Sequence, residues 1–281
     1  MSSQTSRRGF LGAGATALAG IGSASGIALA ADQKNDDLKL GVASYSLREF
    51  SRRMAISMTR QLGIRYINIK EFHLPYRSTP EELARGRKEF EASGLTITGG
   101  GTINLQKDDD SDIRFYFEYA KACGMPMMVI APTQRTMPRI ERFVKEYDIM
   151  VAVHNHGPED KYFPAPKDAL KVIKDMDPRV GVCIDVGHTT RTGADVVESI
   201  AEAGPRLLDM HIKDLRNLMD KNSQCEVGDG AMPVVAIFKQ LKKMNYQGHI
   251  MLEYEIKPDN PFPGMEKSFA YMKGVLAGLR G

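Results

Sequence analysis

An apolar run ends in two histidines around an asparagine in "VAVHNHGPED", Val151 to Asp160. His154 and His156 are two residues apart, so on an extended strand both side chains leave the same face. Imidazole is a common metal ligand and carries protons near neutral pH. The segment therefore reads either as a polar loop where a strand surfaces, or as a metal or proton-transfer site at a strand's end. The chain has six histidines in all. The other four, His73, His188, His211 and His249, can be tested by where they fall relative to the strands.

Apolar runs of strand length begin at Leu38, Ile64, Leu95, Pro126, Asp148, Val180, Leu207 and His249. Segments of helical period separate them. "TPEELARGRKEFEASG" has Thr79 as N-cap and Pro80 in the first turn, and it closes on Gly94. "MPVVAIFKQLKKMNYQG" is expected to close near Gly248. Alternating strands and helices make a (β/α)8 TIM barrel over residues 37–281 the economical fold, with a doubly wound open sheet as its rival. In such a barrel reactive groups sit at the C-terminal ends of the strands. His73, His154, His156, His188 and His211 all lie at or just after a strand end, and only His249 begins a strand.

Alternation along each strand sharpens the expectation. In "LLDMHIK" the outer set is Leu208, Met210 and Ile212, which sends Asp209, His211 and Lys213 inward. In "HIMLEYE" Ile250, Leu252 and Tyr254 face out, leaving Met251, Glu253 and Glu255 inside. Asp185 ends the inner file of "VGVCIDV", and His154 with His156 ends that of "DIMVAVHNH". Four strands thus aim His154, Asp185, His211 and Glu253 at one mouth. Two imidazoles and two carboxylates suit one divalent ion, Mn²⁺ or Zn²⁺ first, then Co²⁺ or Fe²⁺, better than the oxygen-seeking Ca²⁺ or Mg²⁺. The bland alternative is four satisfied polar residues at strand ends.

Lys70 is inward by parity with Tyr66 and Asn68, and His73 follows in the loop. Both are candidates for substrate contact, against a solvated rim. Glu159 reads as a loop acid, and "GGG" from Gly99 reads as a turn or close packing. "DDDSD" from Asp108 reads as a solvated helix start.

The first 31 residues read as a removable twin-arginine signal peptide. Arg7-Arg8-Gly9-Phe10-Leu11 precedes an uncharged Gly/Ala-rich stretch and a small-x-small site at Ala28-Leu29-Ala30. An uncleaved anchor is the alternative. The expected location is the periplasm or another exported compartment, with no stable membrane insertion once the signal is gone. Removing it lowers the formal charge from +3 to +1. That balance argues against a nucleic-acid partner, which would want a basic stripe. Cys123, Cys183 and Cys225 show no CxxC spacing and read as reduced. A homo-oligomer stays open.

The chain resembles the xylose-isomerase-like TIM barrels, the sugar phosphate isomerases and epimerases, a superfamily that includes endonuclease IV. The likeness rests on "CIDVGHTTRTG", "LLDMHIKD" and "VGDGAMPVVAIFKQLKKMNYQGHIMLEYE" and covers nearly everything after the signal. "KEFHLP" and "HNHGPEDKYFPAP" look like an exported branch. In the sugar epimerases of that family a Glu, an Asp, a His and a second Glu hold the metal. The last three match Asp185, His211 and Glu253, whereas His154 stands where those enzymes have the first Glu. Their two-base epimerisation would lack one base here.

The resemblance implies an isomerase- or epimerase-like enzyme working on a sugar or keto-sugar through a metal-stabilised enediolate. His156 is the candidate base, with Glu253 as the remaining family carboxylate. Lys213 would hold a developing oxyanion, and His188 matches the family's substrate-contacting histidine. A lyase expelling the aglycone of 3-keto-glycosides is the runner-up. A non-catalytic periplasmic sugar-binding barrel is a third reading. Nuclease chemistry is weakened by the near-neutral charge and by too few histidines for a three-zinc site.

Overall fold

The computed structural model describes residues 38–280, so the signal-peptide expectation for residues 1–31 lies outside it. Eight parallel strands close into a barrel. They are β1 (Lys39–Ala43), β2 (Tyr66–Ile69), β3 (Thr96–Leu105), β4 (Met127–Pro132), β5 (Met150–His154), β6 (Val180–Asp185), β7 (Leu207–Ile212) and β10 (His249–Leu252). β7 neighbours β6 and β10, and β10 closes the ring onto β1. A two-stranded antiparallel hairpin, β8 (Asp214–Leu215) and β9 (Gln224–Cys225), lies in the loop after β7. The helices are α1 (Arg52–Gln61), α2 (Pro80–Ala92), α3 (Asp110–Ala122), α4 (Met137–Tyr147), α5 (Pro166–Ile173), α6 (Val186–Arg191), α7 (Val196–Ala203), α8 (Val234–Lys243) and α9 (Phe262–Gly278). The open-sheet rival is excluded.

Local signals behave as expected at α2. The Thr79 hydroxyl accepts from Glu82 N–H at 3.3 Å, and the Glu82 carboxylate accepts from Thr79 N–H at 2.9 Å. α3 likewise starts on Asp109, whose carboxylate accepts from Asp112 N–H at 2.9 Å. α8 ends sooner than Gly248: Asn245 takes the left-handed conformation at φ 52°, which its short polar side chain tolerates. The glycines from Gly99 lie inside β3 and are there for close packing. A Cβ on Gly99 would meet the Met127 carbonyl oxygen at 2.8 Å.

The main core packs the outer faces of the strands, such as Val151, Val153, Val182, Ile184, Met210, Ile212, Ile250 and Leu252, against the helices. A smaller cluster of Met127, Val129, Ala152 and Cys183 fills the barrel interior. Leu208 packs there too, contrary to its expected outward parity. The pairing of β6 with β7 slips between Val182 and Cys183, so Val182 faces Leu207 but Cys183 faces Asp209. That bulge inserts one residue and turns Leu208 inward, while Asp209 and His211 keep their inward direction. The three cysteines are buried and free. Among the described residues, no helix is long and apolar enough to cross a membrane.

Candidate metal centre and the cleft above it

Strand register brings the predicted ligands together. His154 ends β5, Asp185 ends β6 opposite His211 on β7, and Glu253 follows β10, where Met251 faces His211. His154 Nε2 lies 3.0 Å from His211 Nδ1 and 3.8 Å from Asp185 Oδ2. His211 Nδ1 lies 3.1 Å from Glu253 Oε2 and 4.0 Å from Asp185 Oδ2. All four side chains are buried. Donors about 2.1 Å from one cation sit roughly 3 to 4 Å from one another, so these separations fit a shared ion.

The chemistry of the donors fits as well. Burial, followed by the neighbouring His156 and His211, holds His154 well below the ordinary histidine range. A neutral imidazole is the form that binds metal. Burial opposes ionisation of Asp185, but His188 and Lys213 outweigh it and keep the carboxyl below its usual range. Glu253 is also disfavoured by burial and rescued by His211 and Lys213. Asp185 Oδ1 accepts the His188 backbone N–H at 2.8 Å, capping α6. Its Oδ2 is buried without a hydrogen bond, in an ion pair with Lys213 Nζ at 3.0 Å. Cys183 also lies close to the two imidazoles. Burial pushes its thiol far up, which disfavours the thiolate that a metal would need.

Above the cluster the mouth divides into two chambers. The inner one, about 340 Å³, is lined by His154, Glu253, Lys70, Glu255 and the aromatic residues Tyr45, Phe72 and Tyr76. The outer one, about 600 Å³, is lined by Gln106, Glu159, Asp160, Lys161, Tyr162, Arg191 and Lys221. His156 and His188 line both. His156 Nδ1 is 3.4 Å from both His154 Nδ1 and Asp160 Oδ2. Burial lowers the basicity of His156 and of His188, while nearby carboxylates oppose that shift. Lys70 Nζ reaches Glu253 Oε1 at 3.4 Å, as its inward parity requires.

Two expected substrate-facing residues sit elsewhere. His73 is fully buried under the turn that follows β1, away from both chambers. Its Nε2 lies 3.2 Å from the carbonyls of Leu47 and Phe50, so that nitrogen carries the proton. Its Nδ1 then accepts from the Ser44 hydroxyl at 3.0 Å, and Ser44 Oγ accepts the Lys70 backbone N–H at 2.8 Å. A histidine in the loop after a strand had two environments open to it, and the need to satisfy buried carbonyls won. Lys213 also lines neither chamber. Its ammonium lies 3.1 Å from Glu253 Oε2 and 2.7 Å from Glu255 Oε2. Burial opposes its charge, but Asp185, Glu253 and Glu255 together keep it firmly protonated.

Sequence reasoning missed Arg191, the residue that joins Glu159 to the site. Arg191 is buried, and its Nη1 reaches the Glu159 carboxylate oxygens at 2.6 and 2.9 Å. Its Nη2 meets His188 Nδ1 at 2.7 Å. The available signal was spacing: His188 and Arg191 are three apart on α6 and share a face. Gly157, at φ +81°, lets this guanidinium approach, since a Cβ there would lie 2.7 Å from Arg191 Nη2. Asp214 was missed too. Its buried carboxylate accepts backbone N–H groups from Leu215, Gly228, Gly230 and Met232, which ties down the loop after β9.

Known proteins are similar to this chain in sequence and in fold. Inosose dehydratase from Mesomycoplasma hyopneumoniae strain J is 26% identical over 155 residues, covering 48% of this chain and 51% of that protein. The chain thus spans about half the length of that curated relative. The crystal structure of a putative uncharacterized protein from Parabacteroides distasonis aligns with a TM-score of 0.67 at 25% identity, covering 85% of this chain and 99% of that one. The D-psicose 3-epimerase of Clostridium cellulolyticum H10, solved with D-tagatose, aligns at 0.68 and 15% identity over 85% and 99%, a likeness of fold. The family model described as xylose isomerase-like TIM barrel matches residues 56–275, and the chain belongs to that family.

Proposed function

We propose that this barrel is a divalent-metal-dependent sugar isomerase- or epimerase-like enzyme, exported by the twin-arginine route. The observation that carries the reading is the convergence of two imidazole nitrogens and two carboxylates within 3.0 to 4.0 Å links at one mouth. His154, Asp185, His211 and Glu253 would hold the ion. When bound, a divalent ion, Mn²⁺ or Zn²⁺ first, supplies a Lewis acid that polarises a carbonyl and acidifies the neighbouring C–H.

The chain's own residues do the rest. His156 sits at the rim of the inner chamber and is the candidate to take the proton from carbon and return it to the adjacent carbon. Lys70 reaches the same chamber and offers a cation to substrate oxygens. His188 contacts substrate from the junction of the chambers. Lys213 neutralises Asp185, Glu253 and Glu255, so it supports the ligand set and replaces the oxyanion role expected of it. Tyr45 and Phe72, with ring centroids 6.0 Å apart, line one side of the inner chamber with aromatic surface.

A second reading, elimination from a keto-glycoside, is favoured by the outer chamber, which leaves room for an appended group. Incubating the metal-loaded protein in D₂O with D-fructose and with a 3-keto-glycoside separates the two. Isomerisation changes the ketose and places deuterium on carbon, whereas elimination releases the aglycone. Metal uptake with neither deuterium in any recovered sugar nor released aglycone would leave a binding barrel. Fractionation of cells expressing the full chain tests export.

A further inference from the structure

The two chambers meet at His156 and His188, and the outer one is the larger. A unit seated in the inner chamber, about 340 Å³, over the cluster leaves the outer chamber, about 600 Å³, unfilled. The outer lining is polar but internally paired. Arg191 is engaged by Glu159, and Lys161 Nζ rests 4.6 Å from the centre of the Tyr162 ring. One carboxylate oxygen of Asp160 accepts the backbone N–H groups of Tyr162 and Phe163. Lys221 lies 4.0 Å from Glu159. Arg191, the buried cation of this lining, is already held by Glu159, so a phosphate would have to compete for it, whereas a neutral hydroxylated unit can use donors and acceptors of both kinds.

The junction itself carries a fixed polarity. Arginine has N–H donors and no acceptor. Its Nη2 at 2.7 Å from His188 Nδ1 therefore requires a lone pair on that nitrogen. His188 is then the neutral tautomer with its proton on Nε2, a donor and not a base. Glu159 holds Arg191 through two short bonds, so the polarity of His188 is set from the outer chamber.

We propose that the cleft takes a substrate of two linked polyhydroxylated units, one over the four-ligand cluster and the other in the outer chamber, with His188 Nε2–H donating at the atom that joins them. Arg191 is a positioning residue for that donor. This rests on the reading of the cluster as a sugar site.

The test is binding to the Mn²⁺-loaded full chain, using D-fructose as the one-unit probe. Lactulose, palatinose and turanose, three disaccharides that carry a ketose, serve as two-unit probes. At least one disaccharide is expected to bind about tenfold or more tighter than D-fructose. Gln106→Ala and Lys221→Ala should shrink that ratio toward one. D-Fructose binding as tightly as all three disaccharides overturns the proposal. So does a gain for D-fructose 6-phosphate that disappears in Lys221→Ala. If no sugar binds although Mn²⁺ is held, the carbohydrate reading itself falls first. Independently, nitrogen-15 correlation spectra of the wild-type protein should show His188 protonated on Nε2, and Arg191→Gln should lose that single tautomer. A wild-type proton on Nδ1 overturns the positioning role whatever the sugar result.

Discussion

The two mouths of the barrel are built from the same strands and could hardly differ more. At the C-terminal mouth, His154, Asp185, His211 and Glu253 converge with Lys70 and Lys213 around them. At the opposite mouth lies a hollow of about 720 Å³ lined by Met127, Met150, Leu207, Leu208, Tyr246 and His249. His249 and His211 sit on neighbouring strands, with His249 in register with Asp209 and Met251 with His211. One imidazole rests on the Tyr66 ring at 4.7 Å, and the other lies among carboxylates. The two ends of the strands give these histidines different partners, although His73, in the loop after β2, is also held by backbone carbonyls. One mouth collects buried charge, and the other presents a mainly apolar lining.

The hardest test of that contrast is removal of a ligand. His211→Ala and Asp185→Ala should each abolish stoichiometric uptake of Mn²⁺ or Zn²⁺, read by elemental analysis. Wild-type protein at 100 times the metal's Kd should gain about 2.7 kcal/mol of stability, and the variants none. Full occupancy in both variants would remove the distinction between the mouths. Next in size, His156→Ala should keep the metal but slow solvent deuterium exchange into substrate by about 10²- to 10⁴-fold. Unchanged exchange there would transfer the proton to another group.

These expectations were legible in the sequence to an uneven degree, for physical reasons. Period-two alternation placed Asp185, His211 and Glu253 on the inner face correctly, because a closed barrel forces every strand to the same inside-outside rule. It failed at Leu208, where a bulge adds a residue that no local pattern announces. His73 and Lys213 were placed on the right strands' ends, yet their partners come from elsewhere in the chain. Leu47 and Phe50 claim the first, and Glu255 claims the second. Glu159 looked like a loop acid because Arg191, which gives it a purpose, is 32 residues away. Strand faces are written locally, whereas partner choice is settled by packing.

A cavity mutation probes the lower mouth. Met127 is buried in the barrel interior with Val129, Ala152 and Cys183. Met127→Ala should cost about 2 to 5 kcal/mol in urea denaturation while leaving one metal bound per chain. Loss of metal in step with stability would mean that the interior layer and the upper site form one unit.

The smallest effect comes from acid. Burial, helped by the nearby Lys39 charge, lowers His249 from 6.5 to about 4. Between those values the unfolded chain binds a proton that the folded chain refuses, so stability is full above 6.5 and falls as the pH drops toward 4. His249 alone accounts for at most about 3 kcal/mol across that window. Phenylalanine keeps an aromatic ring against Tyr66 but cannot titrate. His249→Phe should therefore change stability little at pH 7 and narrow the difference between pH 7 and pH 4, measured by urea midpoints on metal-free protein. The buried histidines of the upper mouth still protonate in both proteins, so a residual slope is expected. An unaltered slope would show that His249 is solvated when folded, and the lower mouth would then be wetter than its apolar lining implies.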